Sequence, residues 1–445
     1  MALITKEEAQ ALLKKVLSYS KADECEVNMS GRDSANIRYA RNQVSTSGAV
    51  SSTSLQIASA FGRKLGIVTL NELDDASIQN AVQRSEELAK LAPENPEYVP
   101  FVGPQQYGPP SKMYSETTAA VGPKERADAV AKSLEVAKAQ KLNAAGFLEN
   151  STGYTAMMNT KGLFAYETGS ALEFSITMRT EDGKGSGYVT KGYNDFSKLD
   201  TKTSSEISAK KALGSVAAKA IEPGKYTVIL EPTAVAVLLE NITFSMDERS
   251  ADEGRSFLSK AGGKTRFGEQ LVDPRVNIYS DPWHPELPGS TFNGEGLPLQ
   301  KTYWIEKGLV KNMPVSRYWA AKKGKAPLPG PSGVIMDGGS KSLDELIKGT
   351  EKGILVTRLY YIRSVDPQTL LLTGLTRDGT FYIENGQIKF PVKNFRFNES
   401  PVIMLNNLEE LGIPERTVSD ESNNNYLIPP LKIRDFNFTS LSDAV

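Results

Sequence analysis

The chain of 445 residues carries 52 Lys and Arg against 53 Asp and Glu, a formal net charge of −1, with 39% apolar and 24% charged residues. That balance fits a globular protein with a real core and excludes bulk electrostatic attraction to nucleic acid or an anionic membrane. One histidine, His284, and one cysteine, Cys25, exclude an internal disulfide, and any Ser-His-Asp triad, Cys-His pair or His/Cys zinc site would have to use those same two residues. The length predicts more than one domain, because single cores rarely grow beyond about 250–300 residues.

Lys6 to Ser18 reads as an amphipathic helix, with Ala9, Leu12, Leu13, Val16 and Leu17 at helical spacing and a capping box in Thr5 and Glu8. No signal-peptide layout precedes it, and no apolar run approaches the roughly 20 residues that span a bilayer, so a cytoplasmic protein is expected. From Glu24 to Asn71 the pattern alternates as in strands, with a hairpin at Gly62–Gly66. Asp74 to Leu91 is helical again, with Ile78, Ala81, Val82, Leu88 and Leu91 on or near one stripe. Residues 92–121 hold Pro93, Pro96, Pro100, Pro104, Pro109 and Pro110 and read as a long surface connection.

The grammar then repeats. A helix is predicted over Lys124 to Gln140, a strand meander over Gly146 to Thr190, and a helix over Thr203 to Ala220. Ser52–Ser59 and Gly169–Ile176 share a pattern, and each precedes a glycine-bearing hairpin and a long Ala/Ser-rich helix. Residues 1–221 therefore read as two related units, 1–91 and 122–221, on one antiparallel sheet, joined by 92–121. Gly183–Gly187 lacks the spacing of a phosphate loop and lies between strand patterns, as a hairpin turn does.

Glu222-Pro223-Gly224 marks a boundary. Beyond it come a strand at Lys225–Leu230, a helix behind Pro232, and candidate strands at Lys301–Ile305, Gly353–Ile362, Leu370–Leu372, Thr380–Ile383 and Gln387–Pro391. Asn385-Gly386 is a hairpin turn of the Asn-Gly type. The fold class is α+β: helix–meander–helix repeats on an antiparallel sheet, then a β-rich, barrel-like domain over 222–445 carrying the helix 232–248.

Three segments bear on chemistry. His284 lies between Pro282 and Pro285 in a stiff loop with no second ligand nearby in sequence. Lys322, Lys323 and Lys325 form a basic run without interleaved aromatic residues, as expected of a solvated loop. In the helix 232–248, Val235, Leu238, Leu239, Ile242 and Met246 make an apolar stripe. Glu240 and Asp247 share another face, and Asn241, Ser245 and Glu248 lie at i, i+4 and i+7. A solvated polar face explains these groups; a divalent-cation cluster is the alternative.

Ala236–Leu239 with Asp247-Glu248, Pro298–Ala321, Ser364–Pro367, Ile383–Ile388 followed by Pro391-Val392-Lys393, and Pro430–Ile433 together resemble the TldD/PmbA family in order and spacing. The resemblance covers nearly the whole chain and is strongest from Tyr226 to Asn398. For the TldD branch it implies a zinc peptidase built on HExxxH in this helix, with a cysteine near the C-terminus completing the site. Zinc needs such ligands to lower the pKa of its bound water. The matching segment here puts Glu240 at the first histidine position, Asn241 at the general-base position and Ser245 at the second histidine position. Glu248 of the longer motif is kept, and no cysteine lies beyond Cys25.

That pattern resembles the TldE (PmbA) branch. It implies a chain without catalytic, cofactor or metal residues of its own, paired as a heterodimer with a TldD-like zinc metalloprotease subunit that holds the zinc, with a homodimer as a further assembly. The family implies peptide substrates, unfolded or modified. Its older name, modulator of DNA gyrase, finds no nucleic-acid-binding feature here. The β-rich domain is expected to supply the interface. Two alternatives remain: an autonomous hydrolase with a divalent metal on Glu240, Asp247 and Glu248, and a homodimeric peptide-binding scaffold.

Overall fold

Capping explains where the first helix starts: Thr5 accepts from the Glu8 N–H while Glu8 reaches back to the Thr5 N–H at 2.8 Å. The computed structural model describes residues 3–442. Helix α1 (Lys6–Ser18) leads into strands β1 (Glu24–Ala40), β2 (Gln43–Phe61) and β3 (Lys64–Leu70) and helix α2 (Asp75–Leu91). After the proline-rich connection and a short helix α3 (Glu116–Ala119), the pattern returns as α4 (Pro123–Ala139), β4 (Asn143–Asn159), β5 (Phe164–Arg179), β6 (Ser186–Tyr193) and α5 (Thr201–Gly214).

The six strands form one antiparallel sheet in the order β3-β2-β1-β4-β5-β6, so the two meanders meet along β1 and β4. β2 and β5, whose sequences share a pattern, take equivalent places. All helices lie on one face, over two separate cores. α1 and α2 cover Val27, Met29, Leu55 and Ile57; α4 and α5 cover Ile37, Leu148, Phe174 and Ile176. Glycine sets the approach of each second helix. A Cβ on Gly66 of β3 would meet the Ser85 carbonyl at 2.1 Å, and one on Gly187 of β6 would meet the Ser208 carbonyl at 2.1 Å. α5 stops at Gly214 rather than at the expected Ala220. Ser215 there donates to the Ser186 carbonyl, accepts from the Ser186 N–H and ties the chain to β6.

The second half begins with β7 (Gly224–Leu230), α6 (Pro232–Phe244) and α7 (Glu248–Asp252). Short pieces follow: β8 (Ser259–Lys260), β9 (Lys264–Thr265), β10 (Ile278–Ser280), β11 (Thr302–Glu306), β12 (Leu309–Val310), α8 (Arg317–Lys323), β13 (Val334–Met336) and α9 (Leu343–Lys348). Long strands then dominate: β14 (Lys352–Asp366), β15 (Leu371–Glu384), β16 (Gln387–Pro391) and β17 (Phe395–Glu399). The chain closes with α10 (Pro401–Asn406), β18 (Leu408–Leu411), β19 (Glu415–Val418), β20 (Asn425–Ile428) and β21 (Leu431–Leu441).

β14, β7, β21, β17 and β15 close into a five-stranded barrel, because β15 pairs back to β14. The expected strands at Leu370–Leu372 and Thr380–Ile383 are one strand, β15. A register shift opposite Val356–Arg358 absorbs Asp378 and Gly379, both at positive φ, without ending the ladder. The turn at Asn385-Gly386 has φ of 51° and 71°, as a type I′ hairpin requires. A second six-stranded sheet runs β12-β11-β10-β13-β20-β19. Barrel residues such as Val228, Ile354 and Phe397 share one core with Ile278, Trp304 and Tyr426 of that sheet, and α6 lies within this core. Among the described residues, no helix is long and apolar enough to cross a membrane.

Candidate functional site

Helix α6 starts where Pro232 occupies its first turn, a position that needs no N–H donor. Glu231 precedes it, accepting from Lys211 Nζ at 2.6 Å and from the Thr357 hydroxyl at 3.2 Å. Every residue from Ala234 to Glu240 is buried. The expected solvated face is therefore absent, because the barrel covers one side of the helix and β19, β20 and α10 cover the others. The helix also ends early. Ser245 is its C-cap, with its N–H on the carbonyls of Asn241 and Ile242, and Asp247 starts α7 by accepting from the Ser250 N–H at 2.8 Å. A single helix over 232–248 would place Asn241, Ser245 and Glu248 on one face; the break at Ser245 separates them.

Glu240, Asn241 and Glu248 engage their side chains locally, and Ser245 is held through its backbone. Asn241 Nδ2 donates to the Val237 carbonyl at 2.7 Å. The Ser245 carbonyl accepts from the Ser256 hydroxyl at 3.0 Å. Glu248 pairs with Lys325, and Lys323 pairs with Asp252 at 3.0 Å, so the basic run folds back on α7. Glu240, 4% exposed, accepts from the Ser419 hydroxyl through Oε2, while Oε1 is buried without a hydrogen-bond partner. Its charge and burial together push the neighbouring Tyr426 hydroxyl well above its usual pKa, burial being the larger cause.

These groups do not fit a metal. Zinc prefers imidazole and thiolate, and the two candidates lie elsewhere. Cys25 sits in the core under α1 beside Ser59, where burial raises its thiol. His284 stays in its loop, its Nδ1 accepting from the Glu286 N–H at 3.2 Å, with burial lowering its pKa. Glu240, Asp247 and Glu248 sit on different segments with their own partners. Among the described residues no three His, Cys, Asp or Glu side chains converge as a metal set.

Sequence reasoning missed the residues that surround Glu240. The turn between β19 and β20 holds three consecutive anchors. Ser419 bonds Glu240. Asp420 accepts from Arg358 Nε at 2.6 Å and from the Tyr188 hydroxyl at 2.7 Å. Glu421 accepts from the Ile362 N–H at 3.2 Å. Arg358 also donates to Asp378 at 2.8 Å and lies 4.0 Å from the centre of the Tyr188 ring, and Ser186 donates to the other Asp378 oxygen at 2.5 Å. Burial works to lower the Arg358 pKa, but Asp420, Tyr188 and Asp378 outweigh it and hold the guanidinium above its usual value. Burial pushes the Asp420 carboxyl up against the opposing pull of Arg358. The result is a buried lock between β6 of the first sheet and the barrel, next in sequence to the Ser419 that bonds Glu240. No short-range signal marks it: 179 residues separate Glu240 from Ser419.

The sequence matches family models described as the PmbA/TldA metallopeptidase central domain over residues 115–221 and C-terminal domain over 223–440. An uncharacterized Methanocaldococcus jannaschii protein is 22% identical over 373 residues, 78% of this chain and 83% of that one. A Saccharolobus solfataricus protein named zinc metalloprotease TldD homolog is 24% identical over 210 residues; that match covers 42% of this chain and 44% of the relative. The fold superimposes on TldE from Thermococcus kodakarensis with a TM-score of 0.86 at 20% identity, covering 97% of this chain and 99% of that one. It superimposes on a Thermotoga maritima protein named as a modulator of DNA gyrase with a TM-score of 0.84 at 18% identity, covering 97% and 100%.

Proposed function

The chain belongs to the PmbA/TldD metallopeptidase family, and from that membership we propose that it is a TldE-like, non-catalytic subunit that pairs with a TldD-like zinc peptidase. One observation carries the reading. The helix that bears HExxxH in the zinc branch here holds Glu240, Asn241 and Ser245, each engaged with its own fold and none arranged around a common point. A carboxamide such as Asn241 does not take up a proton from water as a glutamate does.

Ser419 deepens the reading. It comes from the C-terminal region, touches the first motif position and is isosteric with a cysteine. It stands where a C-terminal thiolate ligand would reach a metal on this helix. A hydroxyl there satisfies Glu240 and offers zinc little. On this reading the scaffold of a metal site is kept, and two of its donor positions are taken by Glu240 and Ser419, which bond each other. The role left to the chain is to complete the substrate chamber of its partner and stabilise the complex in the cytoplasm, with unfolded or modified peptides as the shared substrate.

Co-expression with the cognate zinc subunit tests this. A stable heterodimer is expected, with peptide cleavage that falls sharply when this chain is withheld. Failure to form a complex, together with unchanged cleavage by the partner alone, would refute the subunit role.

A further inference from the structure

The outer face of β14, β15 and β17 carries arginines that the fold leaves without close acidic partners. The register puts Tyr360, Leu375 and Arg396 in one cross-strand row and Arg363 beside Thr373 in the next, while Arg377 pairs with Arg358. Leu359, Leu372, Phe395 and Phe397 of the same strands point into the core, so this alternate set points outward. Arg358 is held between Asp378 and Asp420 at 2.8 and 2.6 Å. The other arginines have no such grip. Arg363 lies 3.9 Å from Glu421, and Arg377 Nε lies 3.8 Å from Asp378. The Arg396 guanidinium donates to the Thr373 hydroxyl at 3.4 Å and has no acidic partner among the described residues.

Tyrosines fill the space between these cations. Arg377 stacks 4.6 Å from the centre of the Tyr360 ring, and Arg363 stacks 4.1 Å from that of Tyr361. A bulge holds Tyr361 in place. Tyr361 and Ile362 together oppose Gly374, where a Cβ would meet Ile362 at 2.6 Å. Ile362 turns into the core, and Tyr361, 51% exposed, turns out with φ of 57°. A bulky residue rarely takes that conformation, and bulges at barrel rims re-aim side chains. Tyr and Arg are also the side chains that carry most binding energy at interfaces. The spacing selects the ligand. Diagonal neighbours on adjacent strands, as Arg377 and Arg396 are, lie about 7–8 Å apart. Alternate residues of an extended chain lie about 6.5–7 Å apart on one side. Carboxylates at every second position of an extended segment therefore meet successive guanidinium groups, each able to bind one through two N–H donors. A nucleic acid fits less well, because so few cations release few counterions and each tyrosine already has one ring face covered. We propose that this face binds extended acidic polypeptide segments with Glu or Asp at alternate positions. The proposal concerns the chain by itself, so it and the subunit reading can fail separately.

Fluorescence anisotropy of the full chain with a labelled peptide of alternating Glu and Ser tests it, beside the same peptide with Gln or Lys in place of Glu. The Glu peptide is expected to bind, more weakly as salt rises, and the Gln and Lys peptides about tenfold or more weaker. Arg363→Gln and Arg396→Gln should each weaken the Glu peptide about fivefold or more. Tyr361→Gly should weaken it as well, yet melt no earlier than the parent, because glycine accepts φ of 57°. A ring with a purely structural role would instead lower the melting temperature when removed. Circular dichroism confirms that each variant is folded. Absence of binding, or equal binding of the Glu and Gln peptides, overturns the proposal. So does peptide binding indifferent to both arginine variants, even where they impair pairing with the zinc subunit, or tighter binding of an oligothymidylate of similar length.

Discussion

Glu240 is the residue on which the account turns. A buried carboxyl with a single hydrogen bond and one unpartnered oxygen costs stability, and removing the Ser419 hydroxyl takes away that single bond. Replacing both by apolar groups of similar shape removes that cost. The double variant Glu240→Met with Ser419→Ala is therefore expected to match or exceed the parent in urea unfolding, by up to about 1 kcal/mol, whereas Ser419→Ala alone destabilises by about 1–3 kcal/mol. A strongly destabilised double variant would contradict this. In the co-expressed complex, Glu240→Ala or Asn241→Ala should leave peptide cleavage within about twofold of the parent; a loss of tenfold or more, about 1.4 kcal/mol in the barrier, with the fold preserved would mean that the motif still does chemistry. At this scale the sequence was legible only in part. The run Glu240, Asn241 and Ser245, on which the proposed reading rests, lies in one stretch. Ser419 does not, because its role comes from a hairpin folded onto the helix.

At the scale of elements, the lock around Arg358 holds the sheet to the barrel. Arg358 is buried between Asp378 and Asp420. Arg358→Met leaves Asp420 buried without its cation and Asp378 with only the longer Arg377 contact at 3.8 Å, and should cost about 3–5 kcal/mol in urea unfolding; a cost below about 1 kcal/mol would show that the lock is idle. Glu173 of β5, near this lock, gives a pH-dependent signature. Burial, then the charges of Glu149 and Asp420, raises its carboxyl above the usual value, with Arg32 opposing. A carboxyl whose folded pKa is raised contributes stability below its unfolded pKa of about 4.3 and loses it as pH rises through the folded value. Glu173→Gln should therefore raise the melting temperature at pH 7, with the gain vanishing near pH 4. A gain that grows toward acid would reverse the assignment.

Most elements were legible because their signals are local. Thr5 with Glu8 fixes the start of α1, Asn385-Gly386 fixes a hairpin, and the shared pattern of β2 and β5 reveals the repeat. Helix α6 departs from expectation. Its apolar stripe suggests one solvated face, whereas tertiary packing buries every residue from Ala234 to Glu240, and the break at Ser245 comes from a cap that no spacing rule marks.

The whole molecule is stitched by the proline-rich connection. Arg249 of α7 grips Glu97 through two bonds, the Tyr107 hydroxyl donates to the Gly296 carbonyl, Trp283 donates to the Pro109 carbonyl, and Arg317 donates to the Pro100 carbonyl. A segment that reads as a surface connection thus binds the first half to the second, a role shared by the Glu97 and Tyr107 side chains and by the Pro100 and Pro109 carbonyls, the last two leaving no trace in composition. Together with the lock it joins the first sheet to the half of the molecule that encloses α6. The most direct test is the zinc content of the purified chain after exposure to equimolar zinc and gel filtration. The account predicts no zinc retained above background in the parent or in Glu240→Ala. One tightly held zinc per chain, lost in Glu240→Ala, would contradict it.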